Sequence, residues 1–326
     1  MAVQLIQMAG LTILSFILIN FYFIIAGRFN IIDKPNHRSS HTQITIRGGG
    51  IVVPLVFIVY ELINHIPHVY FFTGLVLISI VSFIDDIKGL SSKLRMTVQL
   101  ISVALLLIDA DISSFLIAIV VLIIITGFIN GYNFMDGING ITGVYSLVIA
   151  GSLMYVNEYV FHFIDDRMFI YLIIPVFVFL LYNFRAKAKC FAGDIGSVSL
   201  AYILSFFMLL LVVKSQNILY LFFIVVYGID ITFTIMQRIM LKQNIFEAHR
   251  MHLYQYLANE AGISHRKVSM IYGMIQLLIN LLVISIILNI NLTLNSQFLF
   301  FTVFSTVLML AYFIIKLRVV NKFNIR

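Results

Sequence analysis

From Val3 to Ile315 the chain is a succession of apolar runs, each about as long as a membrane crossing and each closed by a short polar cluster. Crossing a bilayer takes about 20 apolar residues in a helix, the form that satisfies every backbone N–H and C=O within its own segment. The runs fall near 3–26, 48–64, 69–84, 96–110, 112–130, 141–157, 168–184, 197–213, 217–236, 268–290 and 297–315, and predict eleven spans. Only Asp109, Ala110 and Asp111 divide 96–110 from 112–130, so ten to eleven helices are expected. The expected fold class is an all-α, polytopic transmembrane helix bundle. It is read as one domain over 1–326, because no fixed-period repeat, low-complexity tract or long linker divides the chain. Val3 to Ala26 lacks a basic front and a small-residue cleavage site, so this run is expected to stay as the first helix.

Composition agrees with the pattern. Hydrophobic residues make up 61% of the 326 positions and charged residues 11%, against roughly a quarter charged in soluble domains. Placing the segment after the first run in the cytoplasm leaves only Arg167 and Lys214, of the 21 Lys and Arg, on the other side. By the positive-inside bias the N-terminus is then outside and the C-terminus cytoplasmic. The net charge of +7 reads as topology, so the lipid bilayer is an expected partner and nucleic acid is not. Cys190 is the only cysteine; it can form no internal disulfide and is given no role.

With this orientation the unusual polar residues gather on the cytoplasmic face. They occur in DKPNHRSSHTQITIRGGG, DDIKGLSSKLR, NGYNFMDGING, NFRAKAKCFAGDIGS and the segment 236–267, while the outer loops are short and show no such grouping. Each cluster alone has a plain reading. Two aspartates at a helix end are often solvated, and the glycines 48–50 suit a tight turn or a close helix approach. DGING is too short for an EF-hand and lacks its last glutamate. His37, His41, His65, His68, His162 and His265 show no metal-ligand pairing. Their co-occurrence on one face points to a single composite site. Acidic groups beside cations and glycine-rich backbone suit Mg²⁺ and phosphorylated substrates, whereas soft ligands for zinc or copper are absent. A secondary transporter is the rival reading, but it would carry its charges near mid-bilayer and show inverted repeats. Asp230 alone lies well inside a span, as a functional group or as half of a structural pair.

The ordered set DKPNHRSSHTQITIRGGG, DDIKGL, NFMDGING, AKCFAGDIGS and HRMHLYQ resembles the bacterial polyprenyl-phosphate N-acetylhexosamine-1-phosphate transferases. These initiate O-antigen and other surface polysaccharides and are related to the phospho-MurNAc-pentapeptide transferase of peptidoglycan synthesis. The resemblance runs from about residue 33 to 255. It implies that a UDP-N-acetylhexosamine and undecaprenyl phosphate give the lipid-diphosphate sugar and UMP, with Mg²⁺ or in its place Mn²⁺. A homodimer is the assembly kept open.

Position by position, the resemblance implies that Asp194 is the metal ligand and that one of the catalytic pair Asp85 and Asp86, which of the two left open, engages or deprotonates the lipid phosphate. It implies that Asn133, Asp136 and Asn139 serve nucleotide-sugar binding and catalysis. Phe191 would stack on uracil, with Asn183 and Lys189 flanking the same pocket, and His249, Arg250 and His252 would form a basic motif, His252 being catalytic. Arg47 and Arg95 are candidate substrate-binding cations, and Arg95 shares a helix face with Gln99. Two departures stand out. Asn139 occupies a position that is aspartate in some relatives, so hydrogen bonding is expected there. Tyr254 and Gln255 follow His252 where the peptidoglycan branch has histidines, which favours the surface-polysaccharide branch. A phosphate monoester with a second pKa near ~6 is already mostly dianionic at neutral pH, so a strong base is not obligatory. Direct attack by the lipid phosphate is favoured over a covalent aspartyl intermediate because it needs no buried carboxylate to displace UMP.

Overall fold

The computed structural model describes residues 2–33, 44–244 and 250–324. Its helices are α1 (Ala2–Arg28), α2 (Val52–Ile63), α3 (Val69–Lys88), α4 (Ser92–Asp109), α5 (Phe115–Met135) and α6 (Ile141–Tyr159), followed by α7 (Asp166–Asn183), α8 (Gly193–Ser215), α9 (Val225–Met240), the short α10 (Leu253–Gln255), α11 (His265–Asn289) and α12 (Leu294–Lys322). The strands β1 (Ile32–Asp33) and β2 (Thr45–Ile46) pair antiparallel, and 3₁₀ turns at Gly49–Ile51 and Ile218–Ile224 lead into α2 and α9. Every expected span has its helix, so the protein is an all-α polytopic bundle. Eight of the helical segments among the described residues are long and apolar enough to cross a membrane, while α2, α4 and α6 are shorter or more polar.

The α4–α5 junction, the weakest division in the sequence, is a true break. Asp111 takes a left-handed backbone (φ 53°), and Asp109 turns back to accept the Phe71 amide of α3 at 2.5 Å. One span departs from expectation: the run 217–236 is not one continuous helix but a 3₁₀ turn passing into α9. Gln276 of α11 fills the discontinuity, with Oε1 accepting the Val226 amide at 3.0 Å and Nε2 donating to the Phe222 carbonyl at 2.7 Å. A break in a membrane helix needs its freed backbone groups satisfied, and here a side chain of a neighbouring helix does so.

Helix α8 is apolar all round and almost wholly buried, and α2, α3, α5, α6 and the 3₁₀ turn before α9 pack against it. Aromatic stacking helps to hold this packing, as where Phe71 of α3 lies 4.2 Å from Phe206 of α8 at an interplanar angle of 16°. By contrast α12 lies at the periphery, and Gln297 and Lys316 are its buried residues. At one end of the bundle Tyr60 meets Asp165 and Lys214 meets the Phe163 carbonyl. The glycine turn, the last turn of α3, the start of α8 and the α5–α6 loop meet at the other.

Candidate active site

Asp85 and Asp86 occupy the last turn of α3, which stops at Gly89 (φ 67°). Asp86 faces the N-terminus of α8, where its two oxygens accept the amides of Asp194 and Ile195 at 2.9 and 3.0 Å. An anion is favoured there by the orphan amides and the helix dipole. Arg47 donates Nε to the same Asp86 at 2.6 Å and a second guanidinium nitrogen to Asp194 at 3.2 Å. Burial works against the Arg47 charge, but Asp86 and Asp194 outweigh it and hold the guanidinium more firmly protonated than usual. On the opposite flank Arg95, from the first turn of α4, bridges Asp85 at 2.9 Å and Asp194 at 3.2 Å. Three carboxylates are thus clasped by two guanidiniums.

The three acids are not equivalent. Their side chains are 14% exposed at Asp194, 6% at Asp85 and 0% at Asp86. Asp86 is fully occupied by Arg47 and α8. Asp194 is the carboxylate that a ligand arriving from outside reaches first.

The glycines explain how Arg47 arrives. The Gly49 amide donates to the Phe191 carbonyl at 2.8 Å, Gly50 to Ala192 at 3.1 Å, and Phe191 back to Ile46 at 2.8 Å. A Cβ on Gly50 would lie 2.5 Å from the Gly196 Cα, and one on Gly193 (φ +71°) would lie 2.5 Å from an Asp86 oxygen. The turn is structural, as its plain reading expects, and the closeness it permits delivers Arg47 to two aspartates.

The α5–α6 loop supplies the next wall. Asn133, in the last turn of α5, accepts the Ser197 hydroxyl at 2.7 Å and lines a small cavity with Arg95, Gln99 and Asp194. Asp136 caps α5 and accepts the Thr142 hydroxyl at 2.5 Å. Burial pushes its carboxyl up to about 6, although the Thr142 hydrogen bond favours the ionised form. Asn139 and Asn183 are buried and bound to backbone. Asn139 donates to the Arg185 carbonyl at 2.8 Å, while Asn183 donates to Cys190 at 2.8 Å and accepts Gly140 at 2.7 Å. Both tie the α5–α6 loop to the α7–α8 loop. Lys189 is exposed and Phe191 half-buried on that second loop.

His249 lies outside the described residues. Arg250 is partly buried, and His252 is buried with Nδ1 at 2.9 Å from Asp230. Asp230 is therefore half of a pair. The partners that sequence reasoning missed are Ser197, Thr142, Tyr272, Tyr312 and Lys316. Only Lys316 left a trace, as one of the cytoplasmic cations of the charge count.

Beside the acid cluster a cleft of about 460 Å³ opens between α4, α5 and α9. Leu100, Ile123 and Ile235 line its apolar length, and Asn130, Arg238 and His252 are its polar members. Asn130 and Arg238 lie nearer the loop ends of α5 and α9 than Ile123 and Ile235 do. Asn130 donates to Gln99 at 2.6 Å, and Gln99 lines the small cavity at Asp194, so one hydrogen bond links the cleft to the cavity beside the acids.

The donor chemistry of the cluster fits a hard cation. The Asp85 and Asp194 carboxyls lie within hydrogen-bonding reach of each other, and the clasped set offers oxygen alone. Among the described residues no group of three or more His, Cys, Asp and Glu is arranged to hold a metal unaided. That pattern suits Mg²⁺, which takes one or two carboxylates and completes its shell from water and substrate phosphates.

Comparison with known proteins bears on the same segments. Residues 68–212, which carry Asp85, Asp86, Asn133, Asp136 and Asp194, match Glycosyl transferase family 4. The chain is 26% identical over 272 residues to the probable undecaprenyl-phosphate N-acetylglucosaminyl 1-phosphate transferase of Bacillus subtilis, covering 76% of this chain and 75% of that one. It is 26% identical over 255 residues to the undecaprenyl-phosphate alpha-N-acetylglucosaminyl 1-phosphate transferase of Thermotoga maritima, covering 77% and 80%. Similarity to the phospho-N-acetylmuramoyl-pentapeptide-transferase of Fervidobacterium nodosum is 24% over 212 residues, covering 59% and 67%. Taken together, the eight long apolar helices make the chain a multi-pass membrane protein, and residues 68–212, with the clasped aspartates they carry, resemble glycosyl transferase family 4.

Proposed function

We propose that the protein transfers an N-acetylhexosamine 1-phosphate from a UDP-sugar to undecaprenyl phosphate, releasing UMP, as the first step of a cell-surface polysaccharide. The site faces the cytoplasm of the inner membrane, where nucleotide sugars are found. One observation carries this reading: the Gln99–Asn130 hydrogen bond joins the long apolar cleft to the cavity beside Asp194. A lipid phosphate with its chain in the cleft therefore has its head beside Asp194. The relatives named as undecaprenyl-phosphate N-acetylglucosaminyl 1-phosphate transferases support the lipid acceptor and the sugar phosphate transferred. The buried Tyr254, whose hydroxyl donates to the Phe134 carbonyl at 2.9 Å, stands where the peptidoglycan branch has a histidine. This supports the surface-polysaccharide branch.

In this reading Asp194 with Asp85 beside it would hold Mg²⁺, or Mn²⁺ in its place, which when bound neutralises diphosphate charge and eases the departure of UMP. The side chains do the rest. Phe191 stacks on the uracil, and Lys189 and Arg250 offset phosphate charge. Arg47 and Arg95 hold the aspartates apart from one another's repulsion, worth several kcal/mol at ~4 Å even with an effective dielectric of ~20. Asp136, with its carboxyl near 6, is mostly ionised at neutral pH and stands ready to take a proton. His252 lines the cleft and meets the acceptor phosphate. A lipid phosphate oxygen then attacks the phosphorus that bears the sugar, and the bond from that phosphorus to UMP breaks. Purified protein given undecaprenyl phosphate, Mg²⁺ and a panel of UDP-N-acetylhexosamines should release UMP with at least one sugar. A folded preparation that releases none would refute the proposal.

A further inference from the structure

Asp230, on α9, is 0% exposed, yet donors from four segments converge on it. One oxygen receives His252 Nδ1 at 2.9 Å, the Tyr312 hydroxyl at 3.0 Å, the Leu253 amide at 3.2 Å and the Thr234 hydroxyl at 3.3 Å. The other receives the Tyr272 hydroxyl at 2.6 Å. Five donors on two oxygens suit an acceptor-only carboxylate. The compensating charge comes from α12. Lys316 is only 7% exposed, its Nζ lies 3.4 Å from the Thr234 hydroxyl, and it sits 5.7 Å from the ring centres of both Tyr256 and Tyr312.

Burying a lysine and an aspartate on two helices that otherwise face apolar surroundings is expensive, and such groups are kept where they do something. A purely adhesive contact for α12 needs no charge, because Phe300, Phe301 and Phe304 already pack on Phe222. What the charges do reach is one imidazole. With Nδ1 tied to Asp230, the His252 tautomer and ring plane are fixed, and Nε2 is the nitrogen directed away from Asp230. His252 lines the same cleft as Arg238 and Asn130.

We infer that Asp230, braced by Tyr272, Tyr312 and Lys316, is the positioning group for His252, so that the last helix sets the geometry of a side chain at the acceptor end of the site. This rests on the proposed role of His252 toward the lipid phosphate. Neither α12 nor Asp230 lies in the segment that matches the family. The charged and titratable groups gathered around the Asp230–His252 pair are Tyr272 of α11 and Tyr312 of α12, which hydrogen-bond Asp230, Lys316 beside Tyr312, Tyr254 stacked on the imidazole with Arg250 near it, and Arg238 in the cleft that His252 lines.

The test uses the full-length purified chain. Removing an orienting partner of this kind costs about 10–100-fold in activity, so Asp230→Asn and Lys316→Met are expected to lower kcat by that much. KM for the UDP-sugar should hardly move, and Lys316→Arg should recover most of the loss. On a His252→Ala background Lys316→Met should have no further effect, because both act through one group. An equal loss on that background, or a loss of thermal stability with kcat intact, would overturn the inference. Should the wild type release no UMP, solid-state NMR of histidine-labelled protein still decides. Positioning predicts that the His252 Nδ1 and Nε2 shifts move in Lys316→Met, and unmoved shifts would overturn it while the failed assay separately counts against the proposed function.

Discussion

Arg47 and Asp86, 39 positions apart, are joined at 2.6 Å in a contact that also fastens the start of α8, since Asp86 accepts the Asp194 amide on the same oxygen. The pair is therefore scaffold and site together. Lysine at position 47 would carry one point charge where the guanidinium fork reaches two aspartates. Arg47→Lys is expected to lower turnover about 100-fold while leaving the protein folded, and Asp86→Asn to lower stability by about 2–3 kcal/mol, less than a fully buried broken pair because Arg47 is partly exposed. Turnover and thermal unfolding in detergent check both.

The glycines permit a sharper contrast. Gly193 and Gly89 both have positive φ, +71° and +67°, but a Cβ at Gly193 would collide with Asp86 and Gly48, whereas one at Gly89 meets nothing within 4 Å. Gly89→Ala should cost only the backbone term of about 1–3 kcal/mol. Gly193→Ala should cost clearly more and abolish turnover. Equal unfolding temperatures for the two variants would contradict the close approach described here.

Asp136 separates stability from activity. Its folded carboxyl near 6 lies above the ordinary unfolded value of about 3.9, so folding favours the protonated form. That contribution is complete below about pH 4 and is lost as pH rises toward about 6. At pH 7.5 Asp136→Asn should thus be more stable than the wild type, by roughly 1–2 kcal/mol, yet inactive. Thr142→Val removes the donor that favours ionisation and should shift the acidic limb of kcat/KM upward from about 6. Unfolding curves and a pH–rate profile measure both.

The cleft yields a kinetic signature. Ile235 lines its apolar length, and Ile235→Trp would fill space meant for a polyprenyl chain. KM for undecaprenyl phosphate should rise about tenfold, with KM for the UDP-sugar within about twofold. A matching rise in both would place the cleft elsewhere in the reaction.

Much of this architecture can be read in the sequence, and the boundary has a physical cause. Spans are legible because a bilayer demands an apolar run of fixed length, and Asp109–Asp111 sufficed to separate α4 from α5. Clustering of the motifs at one end followed from charge. The different duties of Asp85, Asp86 and Asp194 did not, because they depend on amides and guanidiniums up to 147 positions away. Lys316 counted in the sequence as one more cytoplasmic cation, but its buried place beside Thr234 and Tyr312 needs the packing of α12 on α9. Asn139 and Asn183 read as substrate ligands, yet their backbone partners lie on a loop that only folding brings near.

Transfer of the sugar together with its phosphate is the central claim, and position-specific label tests it most directly. UDP-N-acetylglucosamine carrying radiophosphorus in its β-phosphate is incubated with the protein, undecaprenyl phosphate and Mg²⁺, with Asp194→Ala as the control. The label should enter the lipid fraction, unlabelled UMP should be released, and EDTA or Asp194→Ala should abolish both. Label left on released UDP, or full transfer by Asp194→Ala, would contradict the account.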